Sequence, residues 1–201
     1  WMQEAADDLV TEMMRKYKIR RLPVVDDGRL VGIVTDRDLR SVSPSPATTL
    51  SIFELNYLLG KMQVKDILHK DVVTINVGAT IEEAALTMSN HHIAGLVVVD
   101  AGGAVVGIIT ETDIFNSFVE IMGLKEGKTR FTFSVSDQVG VLHEITGVFK
   151  DLNINISSLA SYTTDEGPGE LVIRFNAQDT GELIQKLTAI GYPPQHTVQI
   201  G

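Results

Sequence analysis

Cysteine is absent from the 201 residues, which excludes disulfides, thiolate zinc sites and cysteine nucleophiles. The absence fits a reducing compartment, and a cytoplasmic location is the expectation. No apolar run reaches the roughly 20 residues of a membrane-spanning helix, and no signal peptide is visible, so no membrane partner is expected. Basic residues are the minority, 17 against 26 acidic, for a net charge of −9, which argues against non-specific nucleic-acid binding. The glycine-rich phosphate-binding loop, the Gly-x-Gly-x-x-Gly fingerprint and the Gly-x-Ser-x-Gly elbow are all missing. The five histidines, His69, His91, His92, His143 and His196, lack metal-ligand spacing and are expected at the surface or in packing. No metal, catalytic residue or required cofactor is therefore expected. Because the chain opens on Trp1 rather than Met, its true start is expected upstream. Apolar residues are plentiful, at 44%: ample for a buried core and suggestive of more than one domain.

The most informative feature is an internal repeat, because repeats fix architecture before other signals. Gly28-Arg29-Leu30-Val31-Gly32-Ile33-Val34-Thr35-Asp36-Arg37-Asp38 is matched by Gly103-Ala104-Val105-Val106-Gly107-Ile108-Ile109-Thr110-Glu111-Thr112-Asp113. Each is a turn, a buried strand, a hydroxyl residue and, three positions on, a carboxylate. Lys18 to Asp26 and His92 to Asp100 also match. Thr35 and Thr110 are 75 residues apart and Asp26 and Asp100 are 74 apart, so one residue is inserted before the second glycine strand. The threonine and carboxylate have two readings. One is a helix N-cap with a first-turn charge. The other is a ligand site: a helix start favours an anion such as phosphate, and a carboxylate can accept two hydrogen bonds from a vicinal diol, which a ribose has. Two copies with the same preceding strand pair weigh against the first reading. Arg15, Lys16, Lys18, Arg20, Arg21, Arg29, Arg37 and Arg40 make up 8 of the 17 basic residues. They form either a solvated face or an anion-binding cleft.

Over about residues 9–118 these paired motifs resemble the CBS domain, which occurs in tandem as a Bateman module. The resemblance implies an α/β fold: two βαββα repeats packed as a pseudo-twofold pair, with clefts for an adenine nucleotide such as AMP, ADP, ATP or S-adenosylmethionine. It gives the ribose to Thr35 with Asp38 and to Thr110 with Asp113. It places Thr74, Ile93, Gly95 and Leu96 near the base, and Pro23 and Thr112 complete the candidate set. Arg20, Arg21 and Arg37 have the uncharged counterparts Ala94, Gly95 and Thr112. Guanidinium groups suit phosphate, so these arginines are assigned to the phosphates, and the second repeat is expected to supply the better-formed adenosine pocket. The second repeat has a leader, Met62 to Ala79, where the first has almost nothing. In the family this leader closes over the adenine, so the first cleft is expected to be incomplete in this chain.

In chain order the expected divisions are a first repeat at 1–43, a linker at 44–61, a second repeat at 62–122, a linker at 123–128 and a further domain at 129–201. In the first repeat, Leu9, Val10, Met13 and Met14 space as one helix face. Tyr17 to Asp26 is expected as a strand, at an edge or bent because of Pro23, and a helix is expected over Asp36 to Val42. A short helix is expected over 50–60 and another over Met62 to Leu68. Val72 to Ile75 is expected as a strand, and Thr80 with Glu83 is a capping-box signature. Strands at His92 to Asp100 and Ala104 to Ile109 and a helix from Thr110 to Met122 complete the pair. Beyond it, Phe131, Phe133 and Val135 alternate as a strand, and Leu142, Ile145, Phe149 and Leu152 follow helical spacing. Strands at Ile154 to Tyr162, Glu170 to Phe175 and Thr197 to Ile200, with a helix capped by Asp179, give the βαββαβ order of a ferredoxin-like sandwich.

Within that domain, Asp137-Gln138-Val139-Gly140-Val141-Leu142 followed by Asn153-Ile154-Asn155-Ile156 resembles the ACT domain, with Val139 where proline is usual. The resemblance covers about residues 128–201. It implies an effector site for an amino acid or other small ligand at this turn, built from Asp137, Val139, Gly140, Leu142 and Asn155 with a strand of a partner domain. The alternative is that Gly140 only makes a tight strand-to-helix turn. The CBS–CBS–ACT order, with Thr35-Asp36-Arg37-Asp38-Leu39 followed by Ser43-Pro44-Ser45, is similar to the bacterial acetoin-utilisation protein B family. That similarity implies a link to acetoin or acetyl-CoA metabolism. Three function classes follow: a non-catalytic nucleotide sensor acting as a homodimer or through a regulated enzyme partner, an enzyme using the cleft, and an oligomerisation module with empty clefts. No general base or metal set faces the cleft, which favours the sensor.

Overall fold

The computed structural model describes residues 6–42, 64–125, 128–136, 138–164 and 167–199. The expected linker 44–61, the helix expected at 50–60 and Asp137 lie outside them. The chain divides into two compact units, Trp1–Ile114 and Phe115–Gly201.

In the first unit, helix α1 (Ala6–Tyr17) precedes strands β1 (Arg21–Asp26) and β2 (Arg29–Thr35) and helix α2 (Asp36–Val42). The second copy follows as α3 (Val64–Ile67), β3 (Thr74–Asn76), α4 (Ile81–His91), β4 (Gly95–Val99) and β5 (Val105–Thr110), and the division between the units falls inside the next helix, α5 (Glu111–Ile121). The β1–β2 and β4–β5 hairpins are antiparallel, and each register slips once, at Val24/Val25 and at Val98/Val99. The residue passed over is Val31 in one copy and Val106 in the other, so even the bulge repeats. β3 joins β4 in parallel. Arg29 and Ala104, equivalent positions of the two repeats, form an antiparallel bridge with each other. Equivalent residues meet on a twofold axis, so this bridge marks the pseudo-twofold of the pair.

Several boundaries differ from the sequence expectation for one physical reason. Helix α1 runs through Tyr17, and Lys18 then takes a left-handed φ of 53°. The Ile19 N–H closes the helix end on the Met14 carbonyl at 3.0 Å. His92 repeats this with φ 53°, and the Ile93 N–H reaches the Met88 carbonyl at 3.0 Å. The strands therefore begin at Arg21 and Gly95, not at Tyr17 and His92. β1 is an edge strand, as Pro23 requires. Thr80 and Glu83 form the full capping box at the start of α4, satisfying two N–H groups that the helix itself leaves without partners.

The second unit contains β6 (Thr129–Val135), α6 (Val141–Asp151), β7 (Ile156–Thr164), β8 (Gly167–Phe175), α7 (Gly181–Ala189) and β9 (His196–Gln199). The sheet order is β7-β8-β6-β9, antiparallel throughout, with the βαββαβ chain order of a ferredoxin-like sandwich. Phe131, Phe133, Leu171, Ile173 and Phe175 turn one face of the sheet toward Ile145 and Phe149 of α6 and Leu183 and Leu187 of α7. Phe175 meets Phe131 and Phe149 edge-on, with ring centroids 4.9 and 5.1 Å away. Burying each of these side chains contributes about 1.5–3 kcal/mol. Asp179 does not cap α7. Thr180 occupies the N-cap without a side-chain bond, and Asp179 Oδ1 instead accepts from the Gly181 N–H at 3.0 Å.

Candidate functional site

Thr35 ends β2 and Asp38 sits in the first turn of α2. The Thr35 N–H donates to Asp38 Oδ2 at 2.8 Å, the Thr35 hydroxyl to the same oxygen at 2.6 Å, and the Asp38 N–H returns to Thr35 Oγ1 at 3.4 Å. Thr110 and Asp113 form the same lock at 2.8, 2.6 and 3.4 Å. The lock resembles a capping box with the shorter carboxylate at the acid position. One oxygen of each Asp, Oδ2, is thus spent on the fold.

In the first repeat the other oxygen has a partner: Asp38 Oδ1 lies 2.8 Å from His69 Nε2. His69 belongs to the leader of the second repeat. Its backbone pairs with Ile33 of β2 through N–H···O bonds of 2.9 and 3.0 Å. The leader can come this close because residue 32 is glycine. A Cβ there would lie 2.4 Å from Leu68 Cγ and 2.6 Å from the His69 carbonyl oxygen. The first cleft is therefore not left without a leader, as the sequence led one to expect; it borrows the leader of the second repeat.

The result is a cleft of about 520 Å³, within the roughly 300–1,000 Å³ typical of small-molecule sites. Thr35, Asp36, Arg37 and Asp38 form one wall, with Arg21 and Ile33 from the hairpin. His69, Asp71, Val72 and Val73 come from the leader, and His92, Ile93, Ala94 and Gly95 from the turn before β4. The Arg21 chain lies over Gly95, where a Cβ would be 3.3 Å from Arg21 Cδ. Burial pushes the Asp38 carboxyl up, but the hydrogen bonds from Thr35 and His69 outweigh it and hold the group below the ordinary carboxylate value. Asp38 is thus an acceptor kept ionised at neutral pH beside two guanidinium groups.

The other candidate turn opens α6. Gly140, at the N-cap, has a φ of 102°, which side-chain-bearing residues rarely adopt, and no side chain caps the helix there. Beneath it is a cavity of about 140 Å³ bounded by Val135, Gln138, Val141, Leu142, Tyr162 and Glu170. The Tyr162 hydroxyl donates to Glu170, which raises the Tyr162 pKa.

The CBS domain family matches residues 4–45 and 64–120, and the ACT domain family residues 129–191. The chain is 34% identical over 116 residues to "CBS domain-containing protein DDB_G0289609" of Dictyostelium discoideum, covering 57% of this chain and 80% of that protein. The chain belongs to the CBS-domain family. It carries a tandem CBS pair followed by an ACT domain. A second relative, the inosine-5'-monophosphate dehydrogenase of Halalkalibacterium halodurans, is 30% identical over 156 residues, which is 76% of this chain but only 27% of the enzyme. Among solved structures, the CBS pair of protein MJ0100 in complex with 5-methylthioadenosine and S-adenosyl-L-methionine is 28% identical with a TM-score of 0.46, over 58% of this chain and 84% of that one. CBSX2 in complex with AMP is likewise 28% identical with a TM-score of 0.47, over 58% and 84%.

Of the residues singled out in the sequence, the CBS cleft gathers Arg21, Thr35, Arg37, Asp38, Ile93 and Gly95. Arg20, Pro23, Thr74, Leu96, Thr110, Thr112 and Asp113 do not line it. Arg20 is exposed and lends only its carbonyl, to the Asp36 N–H at 3.0 Å. Pro23 pairs with Ile33 in the hairpin. Thr74 opens β3, next to the lining residue Val73. Leu96 is fully buried with Ala84 and Met88, so its side chain serves the core and not a base. Thr110, Thr112 and Asp113 belong to the second junction, where Asp113 is exposed. Ile93 and Gly95, expected beside Thr110 and Asp113, share their cleft with Thr35 and Asp38 instead. In the ACT domain Leu142 borders the small cavity, whereas Val139, Gly140 and Asn155 are exposed and do not line it. His69, expected as a surface or packing residue, is the residue the sequence reading missed, along with Asp71, Val72, Val73 and His92. His69 is 31 residues from Asp38, so no local spacing pointed to it. Among the described residues no helix is long and apolar enough to cross a membrane, and no cluster of three metal-ligating side chains occurs.

Proposed function

We propose that this protein is a non-catalytic sensor that binds an adenine nucleotide, AMP, ADP, ATP or S-adenosylmethionine, in the cleft around Asp38. The observation that carries the reading is the Thr35–Asp38–His69 cluster beside Arg21 and Arg37 in one cleft of nucleotide size. Asp38 is ionised and offers Oδ1 to a ribose diol, which takes the place of His69 or shares the oxygen with it. Arg37 and Arg21 face the phosphates, and Ile93, Val72 and Val73 offer an apolar wall to the base. Calorimetry with AMP, ATP, S-adenosylmethionine and adenosine tests the reading. Binding that Asp38→Asn abolishes supports it; no heat with any of these ligands leaves the oligomerisation-module reading in its place.

The same proposal includes a homodimer, for which the exposed Phe115, Phe118 and Ile121 of α5 supply apolar surface, and a regulated enzyme partner. It also includes a second small effector at the ACT turn (Asp137, Val139, Gly140, Leu142 and Asn155), a cytoplasmic location consistent with the absence of cysteine, and a place in acetoin or acetyl-CoA metabolism. The domain order supports the last of these.

A further inference from the structure

β8 alternates Leu171, Ile173 and Phe175 toward the helices, leaving Val172 and Arg174 on the opposite face of the sheet. Arg174 is only 8% exposed, and its Nε and Nη1 have no hydrogen-bond partner. Its register partner on β6 is another arginine, Arg130, whose Nη1 donates to Thr132 Oγ1 at 2.6 Å. Its partner on β7 is Ser158, whose hydroxyl is turned to the Met122 carbonyl at 2.7 Å. Glu170, on the same face and strand, is taken by Tyr162. Among the described residues, therefore, no acid answers the Arg174 guanidinium. Burial and then Arg130 both push its pKa below the ordinary arginine value.

Such an arrangement is unfavourable as it stands. A buried charge needs a counter-charge, and like charges directly opposite on a ladder repel. An oxyanion resolves both. Facing side chains on an antiparallel pair leave Cβ atoms about 4.5–5.5 Å apart, so one carboxylate or phosphate can be gripped by both guanidinium forks. We infer that Arg174 and Arg130 form an oxyanion-binding site, for a carboxylate or phosphate group, on the face of the ACT sheet opposite α6 and α7. This site is separate from the CBS cleft and from the Gly140 turn. The oxyanion comes either from a small solute or from an acidic side chain of a second copy, and the two sources give different signatures.

The test uses the whole chain. Thermal unfolding and calorimetry with sodium phosphate, and separately with sodium succinate, are compared with sodium chloride at equal ionic strength. If a solute is bound, phosphate or succinate stabilises the wild type beyond chloride. Arg174→Met then weakens that binding by at least about tenfold, and Arg37→Ala leaves it unchanged, which separates this site from the nucleotide cleft, where Arg37 faces the phosphates. If a second copy supplies the acid, the wild type self-associates in sedimentation without added anion and Arg174→Met does not. Arg130→Met reads the same site from its half-buried side should Arg174→Met fail to fold, and is expected to weaken either effect. Anion stabilisation and self-association that are both indifferent to Arg174 and Arg130 would overturn the proposal.

Discussion

Gly32 and Gly107 hold equivalent places in the two repeats. A methyl group on Gly32 would lie 2.6 Å from the His69 carbonyl, whereas one on Gly107 would meet nothing within 4 Å. The same contrast runs through the neighbourhood. Asp38 keeps 16% side-chain exposure and His69 on its second oxygen; Asp113 is exposed and, among the described residues, bonds only within its own lock. The lock is local, so a repeated sequence repeats it to within 0.1 Å. What distinguishes the clefts is what lies over each hairpin, and that is set by the chain between the repeats, not by the motif. A repeat can therefore encode two identical junctions and still produce two unequal sites.

The largest test of this contrast is a pair of glycine substitutions. Gly32→Ala should cost about 1–3 kcal/mol, because the new Cβ meets backbone that has nowhere to go, and it should abolish nucleotide binding by expelling the leader. Gly107→Ala should stay within about 0.5 kcal/mol, as substitutions on open surface do. Denaturant unfolding of both variants measures the difference; equal losses would mean that the leader does not rest on Gly32.

Next in size is the effect on the ligand. Asp38→Ala should weaken AMP by about 10- to 100-fold, the cost of losing a charge-assisted hydrogen bond. Asp113→Ala should weaken it much less if the Asp38 cleft is the principal site. Calorimetry showing the reverse order would transfer the site to the second junction.

A smaller effect concerns pH. Asp38 titrates below its ordinary value of 3.8, so its carboxylate stabilises the fold at pH values above that figure. The contribution fades as the pH falls through the lowered folded value. His69→Ala removes one of the contacts that lower it, so Asp38 should then titrate closer to 3.8. Carboxyl carbon NMR follows the titration, and an unmoved Asp38 would show that His69 is a bystander.

Much of this architecture can be read in the sequence because it is written locally. The repeat, the Thr80–Glu83 capping box and the alternation of Phe131 and Phe133 each depend on residues a few positions apart. Left-handed Lys18 was not foreseeable, since lysine does not signal positive φ; histidine is enriched there, but one such residue does not fix a helix end, and the strands were consequently expected to start too early. The site was half legible. Thr35, Arg37 and Asp38 lie in one motif, but His69 joins them across 31 residues, through a leader that looked like the property of its own repeat. Arg174 facing Arg130 is likewise a matter of strand register, which spacing along the chain does not specify.

Arg37 gives the smallest and most selective expected effect. It lines the cleft but is exposed, and its counterpart Thr112 carries no charge. An exposed ion pair contributes about 0.2–1 kcal/mol, so Arg37→Ala should weaken ATP by only roughly 1.5- to 5-fold. Adenosine, which has no phosphate, should bind as before. Because exposed charges are screened with a Debye length of about 10 Å at 0.1 M salt, the ATP affinity of the wild type should fall with added salt, and that slope should flatten in the variant. Thr112→Arg provides the converse test. If the two clefts differ only in what covers them, a new guanidinium at the open junction gains little for ATP. If it raises ATP affinity as much as Arg37→Ala lowers it, charge and not the borrowed leader is what separates the two repeats.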